Sequence, residues 1–511
     1  YDLSAQTAAI GQGYYSTFAC PDKPLYLMLL TWLHVIAGDR FPLVIVLQTG
    51  LFAILPVLLY WIGAQLGRRS IGFVAAFLSI FKEVNAISSA TLISTSTSKM
   101  MMSEVPTAIL LACFTLVLNK WIKSEVKPLH LVVLLGGING LATLLRLNTF
   151  IFLPLSLLVF TILLFRRWKK LLLSVSVFVL VFLASITPWA IRSQMICHVS
   201  PFYYFMGPLQ GVVINNRFGL SNEAPITPTI QMGTPQAPQS EITTAPVEES
   251  PVLPYGDDPS EQHFNQVITP AGKPFMDAFY RQMGSMGDKL QFILNHFFHN
   301  LLATVLILPT AWMHDTLAVI AAPTGTFWAD DWNGGLSPAT GILLGFNLAV
   351  LALGIGLAWR HLKLAGLAPL VVYLMYNLGL AVARTSGGRY IVSAEWVIFA
   401  YYAAGGVVLI GWLLNLLGLI PSGKSGDDFI AKQSEKPFVQ AGKTAAIFCA
   451  FLLIGGMIPL TEKLIPAQKF EKPAASTWVE AGQAVGYDAL ALQQLISSGC
   501  DIHSGKMTYP R

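Results

Sequence analysis

Asp2, Lys23, Glu104, Arg146, Arg192, Arg384 and Arg389 stand at the edges of apolar runs in a 511-residue chain that is only 12% charged. An ionisable group at a hydrocarbon boundary costs several kcal/mol unless something pairs it, so each is a functional candidate. Guanidinium groups grip phosphate oxygens two at a time, and a nearby carboxylate can take a proton from a hydroxyl or amine. Arginines and a carboxylate at one level would therefore suit a lipid-linked phosphate. The competing explanation is that arginines at helix ends snorkel to the interface. Arg384 and Arg389 in "ARTSGGRYIV" favour the site, because Gly387 and Gly388 permit close backbone approach beside two cations. Glu104, in "SKMMMSEVPTAIL", equally suits the first turn of a helix, where negative charge meets the helix dipole.

These residues share a level only if the elements that carry them alternate correctly across a membrane. The chain is 54% hydrophobic with a mean hydropathy of +0.59, whereas a soluble domain carries roughly a quarter charged residues. The composition predicts an all-α polytopic membrane protein. Its net charge of +5 is small, and Lys and Arg occur in short clusters between apolar runs, which speaks of topology and excludes nucleic acid as a partner. Spans are predicted over 42–66, 71–92, 101–118, 129–145, 150–165, 171–191, 338–357, 364–383, 392–417 and 444–460. The segment 24–38 is too short to cross and is expected to be an interfacial helix, with Asp22 available to cap it and Pro24 in its first turn.

The basic clusters are Arg68 and Arg69, then Lys120, Lys123 and Lys127, then Arg166 to Lys170, Arg360 to Lys363, and the Lys-bearing loop after Pro421. The positive-inside rule places them in the cytoplasm and the seven candidates at the outer boundary. That holds if "NLLATVLILPTAWM", 300–313, does not cross; its Pro309 and polar flanks predict a re-entrant or interface-lying segment. Lys82 and Glu83 would lie deep in a straight helix over 71–92, a feature that suits a transporter, and a break near Lys82 would remove the difficulty. The organisation expected is a membrane module with its first outer loop at 1–193, a large outer loop at 194–337, further spans at 338–460 and an extracytoplasmic tail at 461–511. The Pro- and Thr-rich stretch at about 216–260 is expected to be flexible. A start at Tyr1 and a finish at "TYPR" predict more chain at both ends. The five cysteines have no metal-ligand spacing; Cys20, Cys197 and Cys500 share one side and leave room for one disulfide. His296 and His299 in "NHFFHN" lack a third ligand, so aromatic-belt packing is expected there and no metal.

The ordered series "YDLSAQTAAIGQGYY", "DKPLYLMLL", "LGRRSIGFVAAFLS", "SKMMMSEVPTAILLACFTLVL", "GGINGLATLLRLNTFIFLP", "TPWAIRSQ" and "RTSGGRYIVSAEW" resembles the GT-C superfamily of polytopic glycosyltransferases. The resemblance is in particular to bacterial members related to the dolichyl-phosphate-mannose protein mannosyltransferases and to the aminoarabinose transferase that modifies lipid A. The resemblance implies a GT-C-like helix bundle with outer-face juxtamembrane helices and a small extracytoplasmic C-terminal portion. It further implies inverting transfer of a sugar from a polyprenyl-phosphate donor to a protein, lipid or glycan acceptor, in the plasma membrane and on its extracytoplasmic face, without a cofactor.

In such enzymes an essential acid precedes a Tyr in the first outer loop, and here Tyr1 is similar to that Tyr. The family acid would then lie upstream, and Asp2 is the early carboxylate to which the catalytic role is carried. Glu104 resembles the second family acid. Lys23 resembles the lysine of the family's Lys-Pro-Pro motif, with one Pro missing. Arg146, Arg192, Arg384, Arg389 and Tyr390 would hold donor phosphate. The alternative is a non-catalytic subunit that keeps the GT-C scaffold within a larger membrane complex.

Overall fold

The computed structural model describes residues 1–14, 21, 23–38, 40–88, 96–197, 286–306, 338–382, 388–419 and 437–467, with four single positions further on. Two short helices come first, α1 (Asp2–Ala9) and α2 (Pro24–Ala37). Pro24 supplies the first turn of α2 as expected, but Lys23 occupies the N-cap in place of Asp22. Then follow α3 (Phe41–Phe52), α4 (Ile54–Leu66), α5 (Arg69–Ser88), α6 (Glu104–Lys123), α7 (Leu129–Leu145), α8 (Phe152–Leu164) and α9 (Trp168–Cys197). The second half contributes α10 (Met286–Leu306), α11 (Pro338–Leu362), α12 (Ala368–Val382), α13 (Gly388–Leu416) and α14 (Pro437–Leu464).

Among the described residues, eight helical stretches are long and apolar enough to cross a bilayer, so the chain is a multi-pass helical membrane protein. One of them, Gly341–Val382, holds two helices, α11 and α12, joined by a 3-10 turn over Lys363–Leu367 where Lys363 takes a φ of 52°. Several of the described basic residues collect at one end of the bundle. Helix α6 ends on Lys120 and Lys123, Lys127 lies within electrostatic reach of Arg167, and Gly67 after α4 touches Leu357 near the end of α11. Arg360 and His361 in the last turn of α11 therefore share the end that carries Arg68.

Close crossings hold the helices at their depths. Gly354 of α11 and Gly405 of α13 face one another so closely that a Cβ on either would collide with the other helix's backbone carbonyl. Small residues let membrane helices approach in this way, since lipid offers no hydrophobic drive to association. Aromatic rings fill the space between α6, α8 and α9, with Trp121 against Phe160 at 4.8 Å and Phe160 against Phe178 at 5.5 Å.

One expectation changes. Helix α5 runs unbroken through Lys82 and Glu83, because partners rather than a break relieve their burial. Lys82 Nζ sits 2.5 Å from Glu395 of α13, and Glu83 accepts a hydrogen bond from the Ser98 amide at 2.6 Å. The described part of the 300–313 stretch ends α10, which packs against α11, α12 and α13, and it is pinned where Asn347 donates to the Val305 carbonyl at 2.9 Å. Asn300 and Thr304 are buried there, and 307–313 lie outside the described residues. The loop after Pro421, the 216–260 stretch, most of the tail, and Cys20 and Cys500 lie outside the described residues.

Candidate functional site

Opposite the basic end, the starts of α6 and α13 and the end of α7 converge. Glu104 is the first residue of α6, and Ser393 in α13 donates to its carbonyl at 3.1 Å, tying the two helix starts together. Arg146 follows α7 with an extended backbone, φ −150°, which turns its side chain back toward Glu104. Its Nη1 lies 2.7 Å from Glu104 Oε1, with the two residues 8% and 5% exposed. The other carboxylate oxygen, Oε2, is buried and accepts no hydrogen bond. Tyr390 stacks between two cations: its ring centroid is 5.8 Å from the Arg146 guanidinium and 4.8 Å from that of Arg389. Arg389 also donates to the Tyr390 hydroxyl at 2.7 Å. The Tyr376 hydroxyl of α12, buried and without a hydrogen-bond partner, lies within electrostatic reach of Arg146.

A second group borders the first. Asp2 Oδ1 is 2.7 Å from His34 Nε2, and Gln6 donates to Asp2 Oδ2 at 2.6 Å. Lys23 places its Nζ 4.6 Å from the Tyr1 ring centroid. Between the groups stands Tyr26, whose hydroxyl donates to Gln48 Oε1 at 3.1 Å while the Gln48 amide donates to the carbonyls of Ser98 and Met100. Burial pushes the Tyr26 phenol up, and the carboxylates of Glu104 and Asp2 push it further. Both acids therefore flank one neutral phenol.

No family model, curated protein or solved structure matches the chain.

The sequence candidates thus divide by their surroundings. Glu104, Arg146, Arg389 and Tyr390 form one cluster, and Asp2 and Lys23 lie in the adjoining one. Arg384 lies outside the described residues. Arg192 is engaged elsewhere: its Nε and Nη2 donate to both oxygens of Glu462 at 2.9 and 2.5 Å, and its guanidinium lies 4.7 Å from the Trp189 ring centroid. The Tyr14 amide shares Glu462 Oε1 at 2.7 Å. Burial pushes the Tyr14 phenol up as well. His296 and His299 are both buried on α10, and among the described residues no group of three or more His, Cys, Asp or Glu could hold a metal.

His34, Tyr26, Glu395 and Glu462 escaped the sequence reasoning. Glu395 had a signal, being a carboxylate inside the apolar run "YIVSAEWVIF". Tyr26 and His34 also had one, since they stand eight positions apart on one helix and so on nearly one face. Glu462 carried no such signal, standing beside Lys463 where an apolar run ends.

Proposed function

We propose that the protein is a GT-C-like membrane glycosyltransferase. It moves a sugar, with inversion, from a polyprenyl-phosphate donor to a protein, lipid or glycan acceptor on the extracytoplasmic face of the plasma membrane. The observation that carries this reading is the cluster of buried Glu104 and Arg146 with half-buried Tyr390 and Arg389 at the end of the bundle opposite the basic loops. A phosphate at that boundary meets two guanidinium groups in a medium of low dielectric, where their attraction greatly exceeds its value in water. The cations stabilise the polyprenyl phosphate as it leaves with the bonding electron pair. Lys23 adds a third positive charge beside the first loop. The acceptor proton passes to a base on the adjoining side, where Asp2 is placed.

One observation favours the non-catalytic scaffold instead. Both candidate carboxylates already have partners, Asp2 in His34 and Gln6, and Glu104 in Arg146. Reconstitution in vesicles separates the two readings. With undecaprenyl-phosphate-mannose and undecaprenyl-phosphate-aminoarabinose as probes, the enzyme consumes at least one donor, and Arg389→Ala and Lys23→Ala abolish consumption while the folded protein remains in the membrane. Binding of undecaprenyl phosphate without consumption of either donor would support the scaffold. Full consumption by both variants would defeat the site.

A further inference from the structure

Asp2 has been placed on the acceptor's side, but its partner His34 has no role so far. Ionised Asp2 has no proton to give, so the 2.7 Å contact requires the hydrogen on His34 Nε2. That fixes the neutral tautomer and leaves the Nδ1 lone pair to accept a proton. Gln6 occupies the second oxygen of Asp2 at 2.6 Å, so the carboxylate is held on both sides. His34 is 7% exposed, on a helix whose Lys23 end carries the positive charge of the site. Tyr1, which packs on Lys23, is the chain neighbour of Asp2, so the imidazole and the ammonium flank one short segment.

Resting on the glycosyl-transfer reading, we infer that His34 is the general base and that Asp2 is its positioning residue. His34 Nδ1 removes the proton from the acceptor hydroxyl or amine as the acceptor bonds to the sugar's anomeric carbon. The bond from that carbon to the phosphate oxygen breaks at the same time, and the electron pair leaves with polyprenyl phosphate. The proton on the imidazolium then returns to water. Asp2 stabilises the imidazolium and keeps the ring oriented, which a carboxylate does without itself becoming protonated.

The groups facing His34 decide how its titration is read. Asp2 faces it from α1, Tyr26 lies on its own helix, and Tyr14 stands beside Thr31 of α2. Helix α14, which also packs on α2, carries Glu462, bound to Arg192, and Lys463. Asp2 is the one of these that bonds to the ring, so removing it releases the ring's orientation.

The test is the pH dependence of donor consumption by the full chain in vesicles, with undecaprenyl-phosphate-mannose and undecaprenyl-phosphate-aminoarabinose as probes. A base must be unprotonated, so wild-type turnover falls on the acid side. Asp2→Asn lowers kcat, with KM for the donor unchanged. His34→Gln removes the limb and lowers kcat by about 10²- to 10⁴-fold. Retained binding of undecaprenyl phosphate shows that each variant is folded, and Asp2→Asn serves alone if His34→Gln is not. An acid limb that stays in place in both variants, with wild-type kcat, overturns the dyad and leaves glycosyl transfer standing. Failure of wild-type protein to consume either donor overturns both.

Discussion

Glu104 and Arg146 make the most consequential contact between two residues, because each is buried against the other. Removing one partner from a buried ion pair strands a charge and typically costs about 3–5 kcal/mol. Glu104→Gln and Arg146→Gln should each lower thermal stability in detergent by that order. The double variant should lose less than the sum of the singles, and strict additivity would show that the contact carries no coupling. This pairing was half legible in the sequence. Both residues were visible as charges beside apolar runs, and the alternation of spans put them on one side. Their contact was not visible, since the turn of Arg146 back over Glu104 depends on an extended backbone after α7. Arg192 shows the opposite case: the same residue type at the same level proves to be bound to a carboxylate 270 positions away.

At the scale of the helix, the pair of Lys82 and Glu395 fastens α5 to α13. Lys82 lies six residues from Ser88 at the end of α5 and Glu395 seven from Gly388 at the start of α13, about 9 and about 10.5 Å at about 1.5 Å per residue. Lys82→Met alone should reduce the yield of folded protein sharply, and Lys82→Met with Glu395→Leu should restore part of it. An apolar pair can replace a buried ionic one, whereas a lone carboxylate cannot remain charged there. The glycine crossing makes a sharper contrast. Gly405→Val should disrupt the packing of α11 on α13, while Gly406→Val, whose Cβ meets nothing within 4 Å, should not. Comparable detergent-resistant yields of the two would refute the crossing. Helix positions were largely legible, because apolar runs of spanning length leave few choices. The packing of α10 was not, since it depends on Asn347 and Tyr373 in helices that come later in the chain.

For the whole molecule, the grouping of Arg68, Lys127, Arg167 and Arg360 at one end makes a topological prediction. In intact cells, an impermeant thiol reagent should label a cysteine placed at Lys23 and spare one placed at Lys127, if the basic end is cytoplasmic. Labelling with the reverse preference would invert the orientation. The contact of Arg192 and Tyr14 with Glu462 bears on how the protein is made. A ribosome delivers the first loop long before α14 exists, so the segment that carries Asp2 must wait beside the membrane while the remaining helices insert. Its docking partner lies 448 positions further along the chain. Assembly of the site is thereby tied to the synthesis of α14, and nascent protein halted before α14 would be inserted but unfinished.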